Sequence, residues 1–268
     1  MFESDYLVRP GKKFVLKDFP TDDTGPFDDK DDAAKAIEKN LSRLSELQEV
    51  LYAEAKHAVL VVMQAIDAGG KDGAIRHVFS GVNPQGCTVT SFKKPTELEL
   101  AHDFLWRVHA AVPPRGMIGI FNRSHYESVL VERVKKLVPK DVWSKRYDHI
   151  NEFERMLADS GVTIVKFFLH ISKDEQKQRL EKRLADPAKN WKFNPADLVE
   201  RKLWDDYQDA FDDMLERCST DHAPWYVVPA DRKWFRNWVL SETIVHTMES
   251  LDMKFPPPAP GLDKIKID

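Results

Sequence analysis

Nine consecutive residues, AIDAGGKDG at 65–73, bring together three glycines (Gly69, Gly70 and Gly73), one lysine (Lys71) and two aspartates (Asp67 and Asp72). Those residue types at that spacing suit phosphate. A glycine-rich turn lets backbone N–H groups converge on phosphate oxygens, and a lysine with the positive end of a following helix completes the cradle. The run follows the apolar stretch 59–62 and opens into a helix-competent segment, the strand–loop–helix order of a P-loop. It departs from the pattern G-x-x-x-x-G-K-S/T, because Ala65 stands where glycine is usual and Asp72 where a hydroxyl is usual. That hydroxyl ordinarily ligates Mg²⁺, so Asp67 and Asp72 become the candidate metal carboxylates, with Mn²⁺ as the substitute ion. The chemistry implied is binding of a phosphate chain and transfer of a phosphoryl group.

A second set, Asn122-Arg123-Ser124-His125-Tyr126-Glu127, follows the apolar run 117–121. By topology this is the Walker B position, where a polar or acidic residue orients the metal. Arg123 is expected to contact phosphate, since a helix N-terminus needs no arginine but a phosphoryl-transfer site does. Asn122 and Glu127 are candidates for the same site. Ser124 and Glu127 also have the S-x-x-E spacing of a capping box, so both could simply start a helix over 126–136. The two readings are compatible, and His125 reads as a structural residue.

A third set lies later. Ser172 and Glu175 repeat the capping-box spacing and start a helix carrying Arg179 and Arg183 four residues apart. A break at 185–187 leads to Lys189-Asn190-Trp191-Lys192-Phe193-Asn194-Pro195 and then to a long helix over about 197–216. Two helices joined by a basic loop describe the lid of a nucleotide kinase, whose cations neutralise the transferred group. The alternative is a helical hairpin with its cations in solvent, the preferred reading for Arg201 and Lys202. Trp204, Tyr207, Phe211 and Met214 recur at helical spacing and read as core. Basic residues between Arg107 and Arg155, Arg133 among them, are either solvated helix faces or a polyanion track.

Holding these groups in place requires alternating strands and helices. Strands are expected at 59–66, 87–92, 117–121, 163–170 and 225–228, and Ile37, Leu41, Leu44, Leu47 and Leu51 mark an amphipathic helix before them. Right-handed crossovers then give a mostly parallel five-stranded sheet with helices on both faces. At 268 residues the chain reads as one α/β domain over 1–268, with an N-terminal arm and helix at about 1–56 and a helical lid at about 173–216. No apolar run approaches the length of a membrane span, and the first residues lack the apolar core of a signal peptide, so the expected location is cytoplasmic. A net charge of −4 argues against nucleic acid as a partner, and Cys87 and Cys218 read as two buried thiols.

Taken together, AIDAGGKDGAIR at 65–76, GVNPQG at 81–86, FNRSHYESVLV at 121–131 and KRLADPAKNWKF at 182–193 make the chain resemble the second family of polyphosphate kinases. The resemblance covers nearly the whole length and implies a three-layer P-loop kinase fold similar to thymidylate kinase. It implies Mg²⁺-dependent, reversible transfer between inorganic polyphosphate and AMP or ADP, with GMP and GDP as further acceptors, in a homodimer or homotetramer. By resemblance Asp67 handles the metal and activates the attacking phosphate, Lys71 holds phosphates, and Arg123 with the lid arginines binds the polyphosphate and the transferred group; Asn122 and Glu127, candidates by their position after the third strand, complete the catalytic set. The phosphate-binding set is Gly69, Gly70, Lys71, Asp72, Gly73, Arg76, Arg123, Arg133, Arg179, Arg183, Lys189 and Lys192.

Other members of that family read Asp-Arg-Ser where this chain has Asn122-Arg123-Ser124. The asparagine version is similar to the subgroup that accepts both mono- and diphosphates. One fewer fixed negative charge beside the acceptor would tolerate acceptors of different charge. Two alternatives stand beside this reading: an ATP-dependent nucleoside monophosphate kinase similar to thymidylate kinase, and a P-loop-derived binding protein without turnover. Residues 234–238 could help bind nucleotide or pack on the sheet.

Overall fold

β-branched apolar runs bounded by turn residues become the strands of a parallel sheet in the computed structural model, which describes residues 2–262 together with Ile265 and Ile267. They are β1 (Ala58–Gln64), β2 (Cys87–Ser91), β3 (Ile118–Asn122), β4 (Val162–His170) and β5 (Trp225–Pro229), in the order β2-β3-β1-β4-β5. All four pairings are parallel. Every residue of central β1 is buried, as a strand covered on both faces requires, whereas edge strand β2 is partly exposed. The five expected strands are all present. The first stops at Gln64 rather than 66, because Ala65 and Ile66 already belong to the loop.

The helices are α1 (Lys30–Glu54), α2 (Lys71–Val78), α3 (Glu97–Leu100), α4 (Trp106–His109), α5 (Val131–Val134), α6 (Lys140–Asp159), α7 (Lys173–Ala185), α8 (Ala196–Lys202), α9 (Trp204–Cys218) and α10 (Lys233–Glu249). Asp29 caps α1 by accepting from Asp31 N and Asp32 N. α1 and α2 pack on α10, which rests on β4 and β5, while α6 packs on β4 and α9. The result is the three-layer α/β arrangement of a P-loop kinase. Among the described residues no helix is long and apolar enough to cross a membrane.

Three helix expectations need correction. The helix over 126–136 is instead a 3-10 turn, His125–Ser128, followed by the single turn of α5. The Ser124 hydroxyl takes Tyr126 N at 3.2 Å, so no capping box forms and the Glu127 carboxylate stays available to Arg123. The helix over 197–216 breaks at Leu203 (φ −93°, ψ 21°), which leaves helical geometry and packs on the core. At α7 only half the expected box exists: Ser172 Oγ accepts from Glu175 N, but the Glu175 carboxylate turns to Arg179. Tyr207, Phe211 and Met214 are buried as expected, and so is Cys218, whereas Cys87 is only half-buried.

A polar cluster lies within this apolar frame. Lys166 on β4 donates to Glu154 Oε2 (2.5 Å), Tyr126 Oη (2.7 Å) and Cys218 O (2.7 Å), and Glu154 Oε1 also meets Tyr126 Oη (2.9 Å) and His125 Nε2 (3.1 Å). Burial opposes the Glu154 charge, but Lys166 and His125 outweigh it and hold the carboxylate below its ordinary range. The cluster pins the residues directly after Arg123. Lys166→Met strands a buried carboxylate and should cost about 3–5 kcal/mol in urea unfolding, whereas Lys166→Met with Glu154→Leu should recover most of it. Equal losses in the single and double variants would contradict the unpaired-charge account.

Candidate active site

β1 and β3 are neighbours whose connections leave in opposite directions, β1 toward β2 and β3 toward β4, so a crevice opens at their carboxyl ends. The loop after β1 and the turn after β3 meet there. Arg123 N donates to Met63 O at 3.0 Å, and its guanidinium reaches Asp67 Oδ1 at 2.7 Å and Glu127 Oε2 at 3.5 Å. Arg123 holds φ 62°, a left-handed conformation rare for a side chain of its size. Asn122 Nδ2 donates to Asp72 Oδ1 at 2.8 Å, and Lys192 from the loop after α7 comes within 3.6 Å of Asp72 Oδ2. Asp67, Asp72, Asn122, Arg123, Glu127 and Lys192, all expected at the site, thus share one cluster with Lys71.

The carbonyls of the loop are held by side chains. Lys71 Nζ takes Ala65 O (2.9 Å), Gln176 Nε2 takes Asp67 O (3.0 Å), Arg179 Nη1 takes Ala68 O and Gly69 O (3.1 and 3.0 Å), and Arg236 Nη1 takes Gly70 O (3.2 Å). Ile66 O accepts from Gly69 N. With its acceptors engaged, the loop offers its remaining N–H groups to an anion, a nest ahead of the positive end of α2. Gly70 at φ 95° makes the turn into α2, and a Cβ there would stand 2.6 Å from Arg236 Nη1. A Cβ on Gly73 would meet nothing within 4 Å, so open space faces the first turn of α2.

Not every expected phosphate ligand faces that space. Arg179 is 7% exposed, with donors engaged by Glu175, the loop carbonyls and Ala230 O, so it braces the loop. Arg133 donates to Asp213 and Tyr147 and lies over Trp143. Lys135 pairs with Glu200 and Arg146 with Glu132, so these members of the basic stretch are neutralised locally rather than lined up as a track. Arg183 pairs with Asp197 at 3.6 Å, Lys189 with Asp186, and Arg76 is exposed on α2. Arg201, expected in solvent, binds Lys173 O and Gln176. The sequence assigns neither Gln176 nor Arg201 to the site, and it places Arg236 only within 234–238, the residues that could help bind nucleotide, not among the braces of the loop. Gln176 shares a helical face with Arg179 and Arg183, at spacings of three and seven, which is the signal that could have found it.

Burial and the neighbouring Arg123 push the Lys71 amine down to about 8, although Asp67, Glu127 and Asp72 oppose. Burial raises Asp72, but Asn122 and Lys192 outweigh it and hold the carboxyl low. Burial and Asp67 raise Asp197. Among the described residues no group of three or more His, Cys, Asp or Glu side chains could hold an ion by itself. The carboxylates that could contribute to a cation site, with phosphate oxygens and water completing the shell, are Asp67 and Asp72, held in this structure by Arg123 and by Asn122 and Lys192.

The family model for polyphosphate kinase 2 matches residues 27–256. An AMP/ADP-polyphosphate phosphotransferase of Meiothermus ruber is 58% identical over 264 residues, covering 98% of this chain and 99% of that protein. An ADP-polyphosphate phosphotransferase of Rhodopseudomonas palustris is 48% identical, covering 97% and 94%. The crystal structure of polyphosphate kinase 2 from Arthrobacter aurescens superposes with a TM-score of 0.92 at 41% identity, covering 96% of this chain and 93% of that one. Gly73→Ala should leave the unfolding free energy unchanged or raise it by up to about 1 kcal/mol, while weakening calorimetric binding of tripolyphosphate. Gly70→Ala should instead lose about 1–3 kcal/mol of stability. Undiminished affinity in Gly73→Ala would place the anion elsewhere.

Proposed function

The chain belongs to the polyphosphate kinase 2 family, and on that premise we propose that it moves phosphoryl groups between inorganic polyphosphate and AMP or ADP, making ADP and ATP. One observation carries the residue assignments: the Asp67–Arg123 contact at the crevice, beside a loop whose carbonyls are all held back. The loop N–H groups and Lys71 bind phosphate oxygens, and Arg123 turns from Asp67 toward the transferring group. The Asp67 carboxylate, which can only accept, then aligns the attacking phosphate of the acceptor through the proton its oxygen carries, and takes that proton as the new bond to phosphorus forms; most of the rate comes from alignment and charge neutralisation. One phosphoanhydride is exchanged for another, which makes the reaction reversible.

Asp67 and Asp72 are the residues that would hold Mg²⁺, or Mn²⁺ in its place, and the ion supplies charge neutralisation across the reacting phosphates. Arg183, Lys189 and Lys192 lie on or next to the 186–195 loop and, as a lid, would close over the polyphosphate end and exclude water. Arg179 and Arg133 act as internal braces instead. The proposal extends to GMP and GDP as acceptors, a homodimer or homotetramer, a single kinase domain and a cytoplasmic location. Asn122 in place of a carboxylate leaves one negative charge fewer beside the acceptor, which is why both AMP and ADP are accepted.

The test is chromatography of AMP, ADP and ATP after incubation with Mg²⁺ and long-chain polyphosphate. Product that requires polyphosphate supports the proposal; phosphorylation only with ATP as donor would move the chain to the ordinary nucleotide kinases. Lys71→Ala and Asp67→Ala should each lose about 3 kcal/mol of transition-state stabilisation, roughly a hundredfold in kcat/KM, with the fold intact. Asn122→Asp should change the ratio of AMP to ADP turnover, and an unaltered ratio would remove the role assigned to Asn122.

A further inference from the structure

Gln176 on α7 is 1% exposed, and both ends of its amide are in use. Nε2 donates to Asp67 O at 3.0 Å, and Oε1 accepts from Arg201 Nη1 at 2.7 Å. A primary amide can turn over about its last bond without changing shape, so only its partners decide which end is oxygen. Arg201 has donors and no acceptor and therefore takes the oxygen end. The nitrogen is thereby aimed at the Asp67 carbonyl. Turned over, the amide would set oxygen against oxygen at Asp67 and NH₂ against a guanidinium at Arg201.

Arg201 sits on α8 and has a second anchor, Lys173 O at 2.7 Å, on the first residue of α7. The carbonyls of Ala65, Ala68, Gly69 and Gly70 are held by Lys71, Arg179 and Arg236, none of which depends on α8. The Asp67 carbonyl differs, because the group holding it is itself oriented from α8. It also belongs to the residue whose carboxylate meets Arg123.

We propose that Arg201 is a positioning residue: with α8 seated, it fixes the Gln176 amide and through it the Asp67 backbone, so that docking of the 196–202 segment sets the geometry of the loop. The relay touches no substrate. It rests on the function proposed above for the role of Asp67, and it joins the segment expected to close over the site to the residue that aligns the acceptor.

A double-variant cycle tests the relay in the full chain, using Arg201→Met, Gln176→Met and both together, with ADP as acceptor and polyphosphate as donor. Each single variant should lower kcat about tenfold with little change in the KM for ADP, the pattern of a displaced aligning group. The pair should be no slower than the slower single, because both act through one contact, and Arg201→Lys should recover part of the rate. Without any substrate, hydrogen exchange at residues 67–70 should quicken in both single variants. An Arg201→Met enzyme at full rate, multiplicative losses in the pair, or unchanged exchange would overturn the proposal. Wild-type turnover runs alongside. Failure with polyphosphate but success with ATP would remove the functional reading, and the same cycle measured with ATP would still decide the relay.

Discussion

The parallel pairing of β1 with β3 is the constraint on which the site depends. Its register sets Met63 opposite Asn122, so the next residue, Arg123, leaves the ladder with its N–H still bound to Met63 O. From there its guanidinium reaches Asp67, four residues beyond Met63 on the other strand's loop. A slip of one residue would send Asn122 and Arg123 to opposite faces of the sheet and separate both from Asp72 and Asp67. Burial of the whole of β1 prevents that slip, since it would require moving a core strand past its neighbours.

The backbone near the crevice is strained, and the surroundings hold it there. Ala68 (φ 64°), Gly70 and Arg123 all lie in the left-handed region, where a side chain costs free energy. On one side the loop is braced by Gln176, Arg179 and Arg236. On the other, Ser124 accepts from Gln64 at 3.1 Å, and His125 and Tyr126 are tied to the Glu154–Lys166 pair. Arg179 and Arg236 illustrate the cost. Burial and the facing Arg179 push Arg236 down to about 10, and its partners are an asparagine oxygen and one loop carbonyl.

Features set by neighbours in sequence were legible before the fold was known. The five strands, the glycine loop and the juxtaposition of Asp67 with Arg123 follow from apolar runs, turn residues and the rule that ligands gather at strand ends. What escaped depends on distant partners. Gln176 meets a carbonyl 109 positions away and Arg236 one 166 positions away; the helical face that Gln176 shares with Arg179 and Arg183 hints at its side of the fold but not at its partner. Arg133 looks like a phosphate ligand until Asp213, 80 residues on, is seen to neutralise it. The missing helix at 126–136 has a local cause, the Ser124 hydroxyl taking the Tyr126 amide, but S-x-x-E spacing cannot reveal which amide will win.

Lys71 and Arg236 are each buried beside another cation, Arg123 and Arg179 respectively, and without a polyanion the charge on these two opposes the folded state. A phosphate chain bound in the loop, as proposed, would relieve that opposition and would bind the folded chain in preference to the unfolded one. By mass action, ligand at a hundred times its dissociation constant adds about 2.7 kcal/mol to stability. On the proposed function the substrate would also stabilise the fold, so that the chain without polyphosphate would be both idle and easier to unfold.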